Sequence, residues 1–184
     1  PAALKNVLDN SIANGDFDPL IVVCPTYNNE SSGDSADYSL AFNTLTVRYH
    51  NELVNDLIPA VEGTYSTYAA STSPEDIQAS RDHRAFGGFS MGSVTTWYIF
   101  MNCLDEFRDF MPMSGAMDYE GDDVDAAVTA SGHSPEDFFI FAMTGSEDFE
   151  REHFTRQIQG MLGMTSGNFT EADNEEEDNL AFRI

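Results

Sequence analysis

The stretch Arg84-Ala85-Phe86-Gly87-Gly88-Phe89-Ser90-Met91-Gly92 decides how this chain is read. Its first six residues read as a strand that runs straight into Ser90, and residues 93–105 read as the helix that follows. Between the two, Gly88-Phe89-Ser90-Met91-Gly92 matches G-x-S-x-G, a sharp strand-to-helix turn with a serine at its tip. Such a turn holds the serine in a strained backbone conformation, and the flanking glycines remove Cβ atoms that would clash there. The helix then aims its first N–H groups at the point where an oxyanion develops in acyl transfer. Glycine and serine are common, so the five-residue pattern is weak on its own. Its place between a strand and a helix is what sets it apart from an ordinary glycine-rich turn.

Outward from this turn, short apolar runs alternate with amphipathic stretches, the rhythm of a mostly parallel sheet with helices on both faces. Residues 2–14 read as a helix, and Leu20-Ile21-Val22-Val23-Cys24 as a strand buried on both faces and ended by Pro25. A polar loop follows from Thr26 to Asp37. Leu45, Tyr49, Leu53, Leu57 and Val61 form a helical stripe over 43–62, and Ser73-Pro74-Glu75-Asp76 opens a further helix. Downstream of Ser90, strands are predicted from Phe107, from Phe138 and from Leu180, and helices over 122–131 and 149–162. The 184 residues are read as one α/β domain with no internal repeat.

Composition narrows the function. Thirty-two acidic residues stand against 8 basic ones, a formal net charge of −24. Such a surface repels phosphate backbones, which excludes a nucleic-acid partner. No apolar run approaches the length of a membrane span, and no membrane partner is expected. The acidic run Glu171 to Asp178 lacks the glycine spacing of a calcium loop and reads as a solvated loop. Cys24 and Cys103 both read as small buried hydrophobes.

A serine nucleophile needs a base to take its proton and an acid to orient that base. The order expected along the chain is serine, acid, histidine. The acid belongs on a loop at the carboxyl end of a later strand, and Thr144-Gly145-Ser146-Glu147-Asp148 follows the strand that ends at Met143. Asp148 is the choice for the acid and Glu147 the runner-up. The rival use for Asp148 is to cap the helix over 149–162. The histidine is harder to place: His50 and His83 precede the serine, His133 lies between serine and acid, and His153 falls on a helix just past Asp148. His153 is read as a surface or packing residue. The base is expected beyond the strand that begins at Leu180, and further strands upstream. The 184 residues are then a fragment, incomplete at both ends.

Asp82-His83-Arg84 leading into the turn, then Thr95-Thr96-Trp97-Tyr98 and Asn102-Cys103-Leu104-Asp105, carry a wider likeness. So do Pro19 to Val23, Asn51 to Val54, Asp56 to Pro59, Met111-Pro112-Met113-Ser114-Gly115 and Thr144 to Asp148. In this ordered succession of blocks the chain resembles the esterase D-like esterases, and within them the carbohydrate esterase family 1 feruloyl esterase modules of bacterial xylanases. The resemblance implies an α/β-hydrolase fold, Ser90 as nucleophile, Asp148 as triad acid and the Met91 N–H as one arm of the oxyanion hole. It implies no metal or organic cofactor, secretion, and hydrolysis of feruloyl or acetyl esters on plant xylan or of small-molecule esters. The second oxyanion arm and a Gly-x-x-His histidine, which the family carries, do not occur in these residues. Ala116-Met117 stands where the family often has an acidic or aromatic residue, and the segment 69–80 is longer than in the xylanase modules. A thioesterase or acyltransferase of the same superfamily, and a non-catalytic binding module, are the rival functions.

Overall fold

A computed structural model describes residues 2–27, 37–117 and 120–184. The polar loop expected from Thr26 to Asp37 falls mostly outside the described residues. Among the described residues, four parallel strands form the sheet in the order β1 (Ala85–Phe89), β2 (Asp109–Met113), β3 (Phe139–Met143) and β4 (Leu180–Arg183). Between them run α4 (Met91–Asn102), α5 (Asp122–Ser131) and α6 (Arg151–Leu162). Ahead of β1 lie α1 (Ala2–Asn14), a helical rod α2 over 38–62, and α3 (Pro74–Ala79), which Ser73 caps by accepting the Asp76 N–H. Apart from the run Leu20 to Cys24, these are the elements read from the sequence, with ends within three residues of the reading except at the start of the rod, which begins five residues earlier. Among the described residues, no helix is long and apolar enough to cross a membrane.

One face of the sheet carries Phe110, Pro112, Ile140 and Ala142, all buried, while Met111 and Met143, which alternate with residues of that face, are exposed. Over the buried face lies α4, in which Ser93 to Trp97, Ile99 and Phe100 are all buried. A helix apolar nearly all round needs cover on several sides, and α2, α5 and the sheet provide it. At the centre the Phe100 ring meets Phe110 and Phe138 edge-on, at centroid distances of 4.9 and 5.1 Å. The amino ends of the strands are gathered by two arginines. Arg84 spans the Glu62 carboxylate, the Glu106 and Ile77 carbonyls and the Ser80 hydroxyl, and Arg81 donates to the Leu104, Phe107 and Asp137 carbonyls. In a chain so poor in basic residues, two of the eight serve to satisfy turn carbonyls.

The run Leu20 to Cys24 departs from its reading. It is in no strand, its four aliphatic residues are 42–48% exposed, and Cys24 is exposed rather than buried. The residue types favour a strand, but a strand exists only where a neighbour accepts its ladder of hydrogen bonds. Among the described residues β1 pairs with β2 alone, and nothing pairs with this run. Cys103 is buried, as read, and burial together with the Glu106 and Asp105 charges pushes its thiol far up.

Candidate active site

At Ser90 the chain leaves β1 and enters α4 with φ 56 and ψ −115, a conformation that side-chain-bearing residues seldom adopt. The serine is exposed at the carboxyl end of the sheet, and among the described residues its hydroxyl has no hydrogen-bond partner. The strain is imposed by the contact between strand and helix. A Cβ on Gly88 would lie 2.4 Å from the Gly92 carbonyl oxygen, so β1 and the first turn of α4 touch through their backbones. A Cβ on Gly92 would meet nothing within 4 Å. Of the two glycines of the motif, only Gly88 is required by space. Met91 is the first residue of α4, where helical N–H groups have no partner inside the helix. Its N–H, together with the positive end of a 12-residue helix, is available to a negative oxygen.

The strands are parallel, so every strand-to-loop exit lies at the same end. The first residue past each strand donates its N–H to the last residue of the next: Ser90 to Met113 at 2.9 Å, Ser114 to Met143 at 2.9 Å and Thr144 to Arg183 at 3.0 Å. These bonds align the exits in a row. They put the Ser90 turn and the Thr144–Asp148 loop at one edge, two strands apart, or about 10 Å at the usual strand spacing. One imidazole between two hydrogen-bonded neighbours spans such a gap.

Asp148 is half-buried, its Oδ1 accepts the Glu150 N–H at 2.9 Å and its own N–H donates to Gly145 at 3.1 Å. Its carboxylate therefore has a fixed direction, with Oδ2 uncommitted among the described residues, whereas Glu147 is exposed. The helix begins at Arg151, so Asp148 supports the entry to α6 without being its cap residue. The four histidines are held elsewhere. His50 Nδ1 lies 3.1 Å from the Val47 carbonyl, His83 stacks on Tyr68, and His133 lies 2.9 Å from Asp105. His153 is half-exposed on α6, 3.7 Å from Glu150. The structure brings Ser90, Met91 and Asp148 to one end of the sheet, and among the described residues no histidine is hydrogen-bonded to Ser90 or Asp148.

Sequence reasoning missed the segment behind the turn. Ser114 has φ 53, a second non-glycine residue in the left-handed region, and turns the chain so that Gly115 lies on the backbone of Ser90. In the sequence the Ser-Gly pair stands only as the end of one resemblance block, with nothing that ties it to Ser90. Its contact with Ser90 joins residues 25 apart and leaves no local signal.

A parallel sheet covered by helices, with a strained serine lifted at the head of a helix, defines the α/β-hydrolase class. No family model matches the chain. It is 40% identical over 173 residues to Endo-1,4-beta-xylanase Y of Acetivibrio thermocellus, across 91% of this chain and 15% of that protein. A feruloyl esterase module from Clostridium thermocellum, solved as a serine-to-alanine mutant complexed with sinapinate, superposes with a TM-score of 0.86 and 39% identity. A second solved structure, of a protein called FAE, gives 0.84 and 40%. Each match covers 98% of this chain and 61% of the other. The chain is thus homologous, over nearly all of its length, to a feruloyl esterase module and to a segment of a xylanase, and it spans about three-fifths of each of the two solved chains.

Proposed function

We propose that this chain carries the nucleophile, the acid and one oxyanion donor of a secreted serine carboxylic ester hydrolase. Its substrates are feruloyl or acetyl esters of plant xylan. The observation that carries the reading is the exposed, strained Ser90 at the head of α4, in a chain homologous to a module that binds sinapinate. Sinapinate is a hydroxycinnamate, the same chemical class as ferulate.

In this reading the Ser90 Oγ attacks the ester carbonyl as its proton passes to a histidine. The carbonyl electrons collect on an oxygen that the Met91 N–H faces. Collapse breaks the bond to the sugar oxygen, which takes the proton from the imidazolium and leaves an acyl-serine. Water then repeats the sequence and frees the acid. Asp148 orients the imidazole and stabilises its positive charge. No step calls for a metal or an organic cofactor. The base is assigned to none of the four histidines described above, so the test uses the full-length protein.

Turnover of methyl ferulate and of an aryl acetate is measured alongside labelling by a fluorophosphonate. Ser90→Ala is expected to stay folded, lose the label and lose at least roughly 10³-fold in kcat. Asp148→Asn is expected to lower kcat by roughly 10²–10⁴-fold with KM nearly unchanged, because the imidazole loses its orientation while the acyl pocket is untouched. Near-parental turnover in Ser90→Ala removes the nucleophile from this reading. A full-length protein that neither turns over esters nor takes the label is a binding module instead.

A further inference from the structure

The strain at Ser90 must be held by what surrounds it, and the contact of Gly88 with Gly92 is not the sole backbone contact at the turn. Behind Ser90 lies Gly115, so close that a Cβ there would fall 2.3 Å from the Ser90 carbonyl oxygen and 2.9 Å from the Ser93 Cβ. The Gly115 carbonyl is itself gripped from α4. Ser93 donates its hydroxyl to it at 2.7 Å and Trp97 its indole N–H at 3.1 Å. Ser93 and Trp97 are four residues apart, on one face of the helix that Ser90 begins, and are 0% and 1% exposed. Water does not replace either donor at that depth.

The segment is pinned on its far side as well. Met117 donates its N–H to the Gln157 side-chain oxygen at 2.8 Å, and Gln157 is 1% exposed on α6. Ala116 and Met117 are buried between the two anchors. At its near end, Ser114 is fixed by its N–H to Met143 and by its hydroxyl, 3.3 Å from that of Thr144. Residues 114–117 thus form a rigid wedge whose glycine presses on the backbone of Ser90.

We infer that Ser93 and Trp97 are positioning residues for Ser90: by clamping the Gly115 carbonyl they hold a backbone wedge that keeps the serine in its strained conformation. The inference rests on Ser90 being the nucleophile. The wedge touches the Ser90 carbonyl and leaves the hydroxyl free, so it acts on where the Oγ sits and makes no contact with substrate. When one donor is removed, the Gly115 peptide can tilt and Ser90 can relax towards an ordinary φ, which shifts the Oγ by a fraction of an ångström. Displacements on this scale cost rate far more than binding.

Trp97→Phe keeps the ring in the core and removes the N–H, and Ser93→Ala removes the hydroxyl alone. In the full-length protein, each is expected to lower kcat, and the rate of fluorophosphonate labelling at Ser90, by roughly tenfold, with KM within about twofold of the parent. The double variant is expected to lose less than the product of the single losses, because both donors hold one oxygen. Circular dichroism and Tm check folding, and if Trp97→Phe does not fold, Ser93→Ala decides alone. A lower Tm with parental kcat and parental labelling rate overturns the inference and leaves two core hydrogen bonds. Failure of the parent to take the label at Ser90 removes the premise, and that outcome is distinct from a labelled parent with unaffected variants.

Discussion

Ser90 is held by backbone against backbone, and the glycines around it are unequal in a way the motif conceals. Gly88 sits against the Gly92 carbonyl and Gly115 against that of Ser90, neither of which can move aside, while the Gly92 side faces open space. Gly88→Ala and Gly115→Ala are therefore expected to cost more than about 3 kcal/mol each, if the variants fold at all. Gly92→Ala should stay within about 1 kcal/mol of the parent, on the stabilising side, because alanine loses less entropy than glycine in a helix. Urea unfolding of the three variants checks the order. A Gly92→Ala variant as damaged as Gly88→Ala would mean that the contact at the turn is not the one described. The elbow as a whole was legible in five letters, because its requirements are local. The wedge at Ser114–Gly115 was not, since it depends on which strand end lies beside β1.

Among the elements, the rod over 38–62 shows how a correct periodicity can carry the wrong stripe. The sequence spacing predicts a core face at Leu45, Tyr49, Leu53, Leu57 and Val61, yet the buried positions are Ala41, Thr46, Tyr49, Leu53 and Ile58. The two sets agree only in the middle, because π-helical turns at Ala41–Leu45 and Leu53–Leu57 each add a residue. Thr46 bonds back to Ala41, and Ile58 back to Leu53, five residues each way. The step along the buried face is five across each π turn and three or four between them. Deleting the exposed Asn55 should then convert the second π turn to α-helix and keep Leu53 and Ile58 on one face. Deleting the exposed Arg48, in an α segment, rotates Thr46 and Ala41 away from Tyr49. The first deletion is expected to be at least about 2 kcal/mol milder than the second in urea unfolding. Equal losses would show that the π turns do not set the phase.

For the whole molecule, the charge of −24 acts against compactness at neutral pH, and one buried carboxyl, Glu106, and one half-buried, Asp109, act in the same direction. Burial is the largest influence on both Glu106 and Asp109 and raises each above the ordinary carboxylate range, against the lowering effect of Gln78 on Glu106 and of Arg108 on Asp109. A carboxyl with a raised pKa in the folded state favours folding while it is protonated. Its contribution is full below the unfolded value and is lost as the pH climbs through the folded one. Glu106→Gln keeps an acceptor for the Gln78 amide and has no charge to desolvate. Its Tm relative to the parent is expected to be higher at pH 7 than at pH 4. A difference that is flat or reversed across that range would show that Glu106 is not penalised by burial.

By itself the sequence determined the alternation of strand and helix, the serine at the turn, and the carboxylate loop after β3, because each is written in neighbouring residues through periodicity and turn chemistry. It also carried the relationship to feruloyl esterase modules, through the order of its blocks. Tertiary structure alone decided that Leu20 to Cys24 has no strand partner among the described residues, that two π turns rephase the rod, and that Gly115 backs Ser90. Hydrogen-bond partners and packing neighbours come from distant parts of the chain, and no local pattern of residues specifies which of them will meet.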